Sequence, residues 1–426
     1  MNYILCLHRW AGTQALYDQY TLADETIIRA ICTSEAVASL PQKRCESYAV
    51  VPSMDDNEGV LNAAKKIVAE FGPPKLVVGL NEGDLINAAN IRELYCLPGD
   101  NVTWAARFRD KVKMNNIAEG QDAFPILSAA TVISTEQVHD FANKHGYPVV
   151  VKPKFGTASR GVRVIRNKND FAGGRKHLAT EPMMVQAYCD APTLHIDGWW
   201  DGEQLVVATA SRYLNNCMQF GPSKPLGSVE LANGDEEDQI LLKVGKLLAV
   251  FSPRREMVFH LELFDCEHEL LFLEIAARVG GAEIPFVWRD VHRIDLVGIA
   301  WEIQVGKSTG IRDAARLAAT NGHLHASERG GWVIGSAPSS GVVAAESVYW
   351  SMESNPKNRA SGVYEGAGSR VRLRGGDHAN LVRDAQICIS ELSVPDMSQS
   401  SCEVVKALSI ADSYPVSAAN CAKPEP

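Results

Sequence analysis

The 426-residue sequence lacks the features that mark several protein classes. It has no apolar run near the ~18 residues that a membrane helix needs, so no membrane association is expected. Its short apolar start is closed by His8 and Arg9, which predicts a first strand and not a signal peptide. With 42 Lys and Arg against 51 Asp and Glu, the net charge is −9. This acidic balance argues against nucleic-acid partners, although it permits a local basic pocket.

Complete cysteine and phosphate-loop motifs are also missing. The ten cysteines include no Cys-x-x-Cys pair, which argues against a disulfide scaffold and a structural zinc site. We therefore expect a reducing, cytoplasmic location. Gly-Lys-Ser at 306–308 is not a Walker A loop, because Trp301 stands where the first glycine is required. There is no Ser-His-Asp or Cys-His signature of a covalent nucleophile.

What is present predicts a multidomain protein with mixed α/β and α+β structure. The length suggests two or three domains. Short apolar runs at 3–7, 26–32, 47–51 and 75–80 surround a capped helical pattern, which favours a parallel sheet covered by helices. We predict an N-terminal open α/β domain over 1–118, a small α+β domain over 119–189 and a larger α+β domain over 190–426. The last of these would end in a small subdomain.

Two features of the first domain have ordinary interpretations. Glu82 follows the strand at 75–80, at the edge where such sheets bind ligands, but an exposed loop glutamate is the favoured interpretation. The segment 102–118 is predicted to be one helix. Its four cations, Arg107, Arg109, Lys111 and Lys113, are consistent with a solvated basic face.

A glycine-rich basic loop, KPKFGTASRGV at 152–162, joins predicted strands at 147–152 and 162–166. Such a loop can hold phosphate or can be a simple hairpin turn, and its composition alone does not decide between them.

The segment 257–281 predicts a hairpin that carries two carboxylates. Side chains alternate between faces of a strand. The odd positions 259–263 and 271–277 are all apolar and predict a core face, whereas the even positions include His260, Glu262, Glu274 and Arg278. Glu262 and Glu274 are equidistant from a turn centred near His268, so they are predicted to stand opposite one another. Two opposed carboxylates repel unless a cation compensates, and Mg²⁺ with nucleotide phosphates does so.

Other interpretations of this hairpin remain open. Glu274 could form a surface salt bridge with Arg278, which would leave Glu262 unexplained. The pair Gly280-Gly281 could offer backbone N–H groups to a phosphate or carboxylate, or it could be a plain turn.

Together these segments resemble the carboxylate–amine ligases of the ATP-grasp superfamily. The resemblance is carried by FRDKVKM, YPVVVKPKFGTASRGV, MVQAYCDAPTLHIDG, HLELF and LEIAARVGG, in the family's order and spacing. It implies an ATP-grasp fold and an enzyme that activates a carboxylate as an acyl phosphate. This activation would release ADP. An amine, which the resemblance implies is an amino acid, would then attack the acyl carbon and release phosphate. The cofactors implied are ATP and Mg²⁺, with Mn²⁺ as an alternative.

The resemblance also implies roles for individual residues. Arg278 and Lys152 would be catalytic, and Glu262 and Glu274 would bind the metal. The nucleotide-binding residues implied by the motifs are Lys111, Lys152, Gly156, Thr157, Ser159, Gly161, Gln186, Ala187, Tyr188 and Thr193. The candidate substrate residues are Glu82, His195, Asp197, Arg212, His260, Gly280, Gly281, Arg289 and His292, of which Arg289 and His292 rank highest because they follow the diglycine.

The chain departs from the family pattern at three positions. Ala187 and Thr193 stand where glutamates are frequent, so Thr193 or Asp190 would have to replace their contacts. Ala276 stands where an asparagine often completes the metal site. The pattern is similar to ligases that build dipeptides or dipeptide-like antibiotics, including the dapdiamide type, and it implies small-molecule substrates and a homodimer. The alternatives are a kinase on the same fold and a nucleotide-binding protein without turnover.

Overall fold

A computed structural model provides the structure of this chain. It describes residues 3–20, 27–157, 159–171, 182–220, 224–267, 269–307, 310–320, 322–324, 326–335, 345–353 and 367–392. Within these residues no helix is long and apolar enough to cross a membrane.

The first sheet is parallel, as predicted. Its strands are β1 (Tyr3–His8), β2 (Ile27–Cys32), β3 (Cys45–Val50) and β4 (Leu76–Gly79), in the order β3-β2-β1-β4. Helix α1 (Asn57–Phe71) packs on it through Val60, Ala64 and Ile67. Asp56 caps this helix by accepting from the Gly59 amide at 3.0 Å, and Gly72 ends it with a φ of 78°. Both caps are therefore where the sequence pattern indicated.

The connection to the next sheet differs from the single predicted helix. It contains α2 (Leu85–Leu94), α3 (Val102–Ala105) and α4 (Lys111–Ala118). Asp110 accepts hydrogen bonds from the amides of Val112 and Lys113 and is therefore the N-cap of α4. This cap divides the predicted single helix. The predicted solvated basic face is wrong for Arg109 and Lys111, which are buried.

The second sheet confirms the predicted hairpin around the glycine-rich loop. It consists of β5 (Ala129–Val132), β6 (Val149–Pro153), β7 (Arg163–Ile165) and β8 (Met183–Ala187), in the order β5-β8-β6-β7, with helix α5 (Thr135–His145) packed against it. Strands β6 and β7 are antiparallel neighbours, so residues 154–162 form the loop between them. We call residues 155–161 the flap.

The third sheet is the largest. Its strands are β9 (Thr193–Trp200), β10 (Leu205–Tyr213), β11 (Leu226–Glu230), β12 (Met257–Cys266), β13 (Glu269–Ala276), β14 (Ala319–Thr320), β15 (Gly322–Leu324), β16 (Arg329–Gly335), β17 (Val348–Glu353) and β18 (Ser369–Gly375). The main path runs β13-β12-β9-β10-β11-β16-β18-β17. The accompanying helices are α6 (Asp235–Phe251), α7 (Ile284–His292), α8 (Leu296–Val305), α9 (Ile311–Leu317) and α10 (His378–Leu392).

The hairpin of β12 and β13 has the predicted register at its chemical positions. Glu262 pairs directly with Glu274, and the apolar Phe259 and Leu261 are fully buried against helix α6. A bulge then shifts the pairing, so that Leu263 lies opposite Phe272. Consequently Phe272 enters the core and Leu273 faces a cleft, the reverse of the strict alternation that the sequence suggested.

The three separate sheets follow one another along the chain in the order of the three predicted domains. The exact domain boundaries stay a prediction.

Candidate active site

A cleft of about 100 Å³ lies between the second sheet and the β12–β13 hairpin. We call it the nucleotide cleft. One wall carries Lys152 at the end of β6 together with Gln186 and Ala187 of β8, and the opposite wall carries Glu262 and Glu274. The predicted nucleotide-binding residues that line the cleft are Lys111, Lys152, Gly156, Thr157, Ser159, Gln186, Ala187 and Thr193.

Two predicted nucleotide residues lie beside the cleft and not on its wall. Gly161 closes the flap with a φ of 75°, in the region that favours glycine. The Tyr188 hydroxyl donates to Asp190 at 2.7 Å, so Asp190 is engaged with this tyrosine. Of the two residues considered as replacements for the missing glutamate contacts, Thr193 is the one that lines the cleft.

The two lysines of the cleft have different electrostatic settings. Lys111 Nζ forms an ion pair with Glu274 at 2.7 Å and donates to the Gly156 carbonyl at 3.0 Å. Lys152 is buried, and its ammonium has no hydrogen bond or ion pair within the described part of the chain. Burial lowers the pKa of Lys152 to about 8, although the more distant charge of Glu274 opposes that shift. Lys152 is thus a desolvated cation aimed into a cleft that fits a phosphate chain.

Glu262 is held from behind by hydrogen bonds. Its Oε1 lies 3.2 Å from the Tyr213 hydroxyl and 3.4 Å from His260 Nε2. Burial favours a raised pKa, but these interactions with His260 outweigh it and lower the pKa of Glu262. Glu262 therefore stays ionised while facing Glu274.

Arg278 and Glu82 form a buried charge cluster beside the carboxylates. Arg278 donates through Nε and Nη2 to Glu82 Oε2, at 3.1 and 2.6 Å, and Arg109 bonds the other oxygen. Although burial favours the neutral acid, the two arginines lower the pKa of Glu82 to about 2. The favoured prediction that Glu82 is an exposed loop residue is wrong, and so is a Glu274–Arg278 surface salt bridge, because Arg278 pairs with Glu82 and Glu274 pairs with Lys111.

Arg109 was not predicted as a site residue. It connects Glu82 to the flap by donating to the Phe155 carbonyl at 2.7 Å. A signal was present in the sequence, because Asp110 followed by a new helical segment is typical of an N-cap. That cap would have placed Arg109 at a helix junction and not on a solvated face.

A second, larger cavity, of about 330 Å³, adjoins the nucleotide cleft. We call it the acceptor cavity. The two spaces share Glu262 and Glu274 as well as Thr157, Ser159 and Arg160 of the flap. The acceptor cavity extends past Arg278 and Gly280-Gly281 to Trp10, Trp332 and Arg370. Neither tryptophan was predicted, since nothing in the local sequence connects them to the motifs.

The candidate substrate residues separate into two groups. Glu82, His260, Gly280 and Gly281 line the acceptor cavity. The others do not: Arg212 pairs with Asp265 and Glu236, Arg289 donates to the Thr13 carbonyl, His292 pairs with Glu230, and His195 and Asp197 lie behind His260. The ranking of Arg289 and His292 is therefore not supported by their positions, because helix α7 directs them to other partners.

The carboxylate pair fits a divalent cation. One oxygen of Glu262 is fixed by Tyr213 and His260, and Oε2 accepts no hydrogen bond from any described residue. Among the described residues, Glu274 forms an ion pair with Lys111 only. Hard oxygen ligands opposite one another, open to a cleft that suits phosphates, are the donor set that Mg²⁺ uses. Glu262 and Glu274 are the residues that would hold it.

Comparisons with known proteins agree with this geometry. Residues 110–199 match the family of the carbamoyl-phosphate synthase L chain ATP-binding domain. The L-arginine-specific L-amino acid ligase of Bacillus subtilis is 22% identical over 291 residues, covering 66% of this chain and 68% of the ligase. Pyruvate carboxylase of Pichia angusta is 26% identical over 216 residues, which are 47% of this chain and 18% of that enzyme.

Solved structures extend the similarity to nearly the whole chain. L-amino acid ligase from Bacillus licheniformis superposes with a TM-score of 0.68 at 14% identity, over 92% of this chain and 98% of that one. An N5-carboxyaminoimidazole ribonucleotide synthetase in complex with ADP superposes with a TM-score of 0.63 at 13% identity, over 91% of this chain and 96% of that one.

The fold is thus that of the ATP-grasp proteins. An ATP-dependent carboxylate–amine ligase activity is supported by these similarities, as the motifs implied.

Proposed function

We propose that this protein is an ADP-forming ligase that joins two amino acids, or an amino acid and another small carboxylic acid, through an amide bond. The carboxylate–amine ligase class is supported by the relatives, and the amino-acid substrates are our extension of it. The observation that carries the proposal is the shared wall. Glu262 and Glu274 belong both to the nucleotide cleft and to the larger acceptor cavity beside it.

The reaction needs positioning and charge neutralisation more than a covalent nucleophile. A substrate carboxylate attacks the γ-phosphorus of ATP, which forms an acyl phosphate and releases ADP. An amine then attacks the acyl carbon and expels phosphate. Mg²⁺, held by Glu262 and Glu274, would neutralise charge on the transferring phosphoryl group.

The chain's own residues supply the remaining functions. Lys152 and Lys111 lie where they would contact ATP phosphates. Arg278 faces the shared wall from the acceptor cavity, where its guanidinium would stabilise the acyl phosphate. The flap borders both spaces, so its closure would exclude water from the acyl phosphate.

The acceptor cavity favours zwitterionic substrates. Its described cations are matched by carboxylates: Arg278 by Glu82, Arg9 by Asp84 and Arg370 by Glu283. Such alternating charge fits molecules that carry both an ammonium and a carboxylate, and the indoles of Trp10 and Trp332 provide an apolar wall for a side chain.

The test is a product assay over pairs of amino acids and small dicarboxylic acids. We expect ADP, free phosphate and an amide in equal amounts, and only when both an acid and an amine are present. A phosphorylated product formed without an amine would favour the kinase alternative. Tight Mg·ATP binding with no phosphate release over the whole panel would contradict an enzyme of either type.

A further inference from the structure

A chain of buried hydrogen bonds lies behind the carboxylate Glu262. We call it the Asp197 relay, and its members are Ser228, His195, Asp197, His260 and Glu262. Asp197 Oδ2 lies 2.7 Å from His195 Nδ1, and Asp197 Oδ1 lies 2.9 Å from His260 Nδ1. The outer ring nitrogens continue the chain, from His195 Nε2 to Ser228 Oγ at 2.7 Å and from His260 Nε2 to Glu262 Oε1 at 3.4 Å.

Strand register explains why these side chains meet. Strands β9 and β12 are antiparallel neighbours, in which His195 stands opposite Glu262 and Asp197 stands opposite His260. Alternation places all four on one face of the sheet. Asp197 is only 1% exposed, so it is shielded from solvent and from any substrate in the acceptor cavity.

The same carboxylate also fixes the start of the diglycine loop. The Gly280 amide donates to Asp197 Oδ1 at 3.1 Å. A Cβ at position 280 would lie 2.5 Å from that oxygen and 2.5 Å from Ile284 Cδ1, which leaves no room for any side chain. Asp197 therefore touches both halves of the site, through His260 toward Glu262 and through Gly280 toward the acceptor cavity.

The ligating atoms of His195, Asp197 and His260 lie within 4.8 Å of one another, which is close enough to consider a buried metal. The hydrogen bonds oppose that interpretation. Both Nδ1 atoms point at Asp197 oxygens, as N–H donors do, and Asp197 also accepts from the Gly280 amide. A metal there would have to displace all three interactions.

We propose that Asp197 is a positioning residue that sets the orientation of Glu262 and of the Gly280-Gly281 backbone at the same time. It touches no substrate, and its effect on catalysis passes through His260 and Gly280. This inference rests on the proposed function, because it assigns Glu262 to the metal and the diglycine loop to the acceptor. Partners of this kind orient metal ligands and are as important to metal affinity as the ligands themselves.

The test separates the two branches by substitution. Asp197→Asn should weaken both, since the hydrogen bonds from His260 and from the Gly280 amide reach the same oxygen, Oδ1, and a neutral amide oxygen is a weaker acceptor than a carboxylate oxygen. His260→Gln should affect mainly the branch to Glu262, whereas Gly280→Ala, whose Cβ would lie 2.5 Å from Asp197 Oδ1 and 3.0 Å from His260 Nδ1, should disturb both branches. Metal affinity is measured by titrating Mn²⁺ into the full chain with a non-hydrolysable ATP analogue and recording the paramagnetic resonance of free Mn²⁺. The acceptor branch is measured as the KM for the amine substrate.

We expect Asp197→Asn to raise the Mn²⁺ dissociation constant about 10- to 100-fold and to raise the amine KM as well. His260→Gln should raise the Mn²⁺ dissociation constant more than the amine KM, and Gly280→Ala should raise both values. The control is Glu302→Gln, which removes another fully buried carboxylate, one that pairs with Arg312 away from both cavities. It should lower thermal stability and leave both readouts unchanged.

The proposal is overturned if Asp197→Asn loses stability as the control does while its Mn²⁺ affinity and amine KM stay at the wild-type values. If Asp197→Asn does not fold, the two branch variants decide the matter, and wild-type values in both would overturn it equally. Failure of the proposed function gives a different result. In that case wild-type protein itself would show no Mn²⁺ site that Glu274→Gln removes.

Discussion

The nucleotide cleft and the acceptor cavity share a wall but are built in different ways. The cleft is formed largely by contiguous motifs: the flap, the end of β6, the end of β8 and the β12–β13 hairpin. The acceptor cavity combines single residues from distant segments, such as Trp10, Glu82, Arg278 and Arg370. The cleft also holds a buried lysine that forms no ion pair with any residue the structure describes, whereas Arg278 and Arg370 of the cavity are paired. The cleft is thus prepared for an anionic ligand, and the cavity for a ligand with both charges.

The largest effect should come from the wall that the two spaces share. We expect Glu274→Gln to reduce ADP formation by about 1000-fold, because the metal loses a charged ligand and Lys111 loses its partner. The check is a steady-state ADP assay together with a thermal melt to show that the fold survives. Glu269→Gln, at the exposed start of the same strand, should keep wild-type activity. An unchanged rate in Glu274→Gln would remove the metal assignment.

A change confined to the acceptor cavity should be smaller and should spare ATP binding. Arg278→Lys loses the two-pronged contact with Glu82 and the planar group that would stabilise the acyl phosphate. We expect amide formation to fall about 100-fold with little change in the KM for ATP, measured by product analysis at saturating ATP. Arg312→Lys, in a buried pair outside both cavities, is the matched control. A large rise in the ATP KM of Arg278→Lys would show that the two spaces are not separable.

Lys152→Met should change the cleft and leave the cavity intact. We expect the KM for ATP to rise about tenfold or more while the amine KM stays constant, as initial-rate kinetics would show. The substitution should nevertheless raise the free energy of unfolding at neutral pH, although it weakens ATP binding. Burial lowers the pKa of Lys152 from 10.5 to about 8, so the charged wild-type lysine destabilises the fold at neutral pH.

The lowered pKa of Lys152 also determines how the free energy of unfolding should change with pH. Because the unfolded chain binds more protons than the folded chain between about 8 and 10.5, wild-type stability should rise with pH across that window, relative to Lys152→Met. The gain should be on the order of 1–3 kcal/mol, measurable by denaturant unfolding at several pH values. If wild type is the more stable protein at neutral pH, the lysine must have a counter-ion and the proposed contrast with the acceptor cavity fails.

The smallest effect concerns the flap, which borders both spaces. Arg160 Nη2 lies 3.3 Å from Asp55 Oδ2, and both residues line the acceptor cavity. Both side chains are about half exposed. Exposed pairs contribute little, so Arg160→Gln should raise the KM values for ATP and amine by less than about fivefold. Lys168→Gln, an exposed cation beyond β7, serves as the comparison in the same kinetic assay. An effect on one KM alone would show that the flap belongs to one space only.

The two spaces were also unequally predictable from the sequence. Alternation and distance from the turn were sufficient to place Glu262 opposite Glu274, because antiparallel register is set by local geometry. The bulge beside them was not predictable, so Phe272 and Leu273 were expected on the wrong faces. Glu82 was expected to be exposed because its neighbours Asn81 and Gly83 are typical of a loop. Its burial depends on Arg109 and Arg278, which are distant in sequence.

Contacts between residues distant in sequence also explain why the candidate substrate residues were only partly predicted. Arg289 and His292 follow the diglycine in sequence, but helix α7 orients them toward the Thr13 carbonyl and Glu230. Trp10 and Trp332 reach the cavity only through tertiary packing. Motifs predict residues that act from one short segment, and they do not predict a wall assembled from several.

The ion pair between Lys111 and Glu274 has a consequence for how the affinity for Mg·ATP should respond to salt. A metal bound by Glu274 would compete with Lys111 for its carboxylate, and ATP phosphates would then become the new partner of this lysine. Binding would therefore exchange counter-ions within the protein, and few ions would be taken from or released to the solvent. Of the cations near the phosphates, Lys152 alone would gain a partner without giving one up, among the residues that the structure describes. The affinity for Mg·ATP should consequently fall only gently with ionic strength, in contrast to sites that assemble their positive charge from solvated side chains.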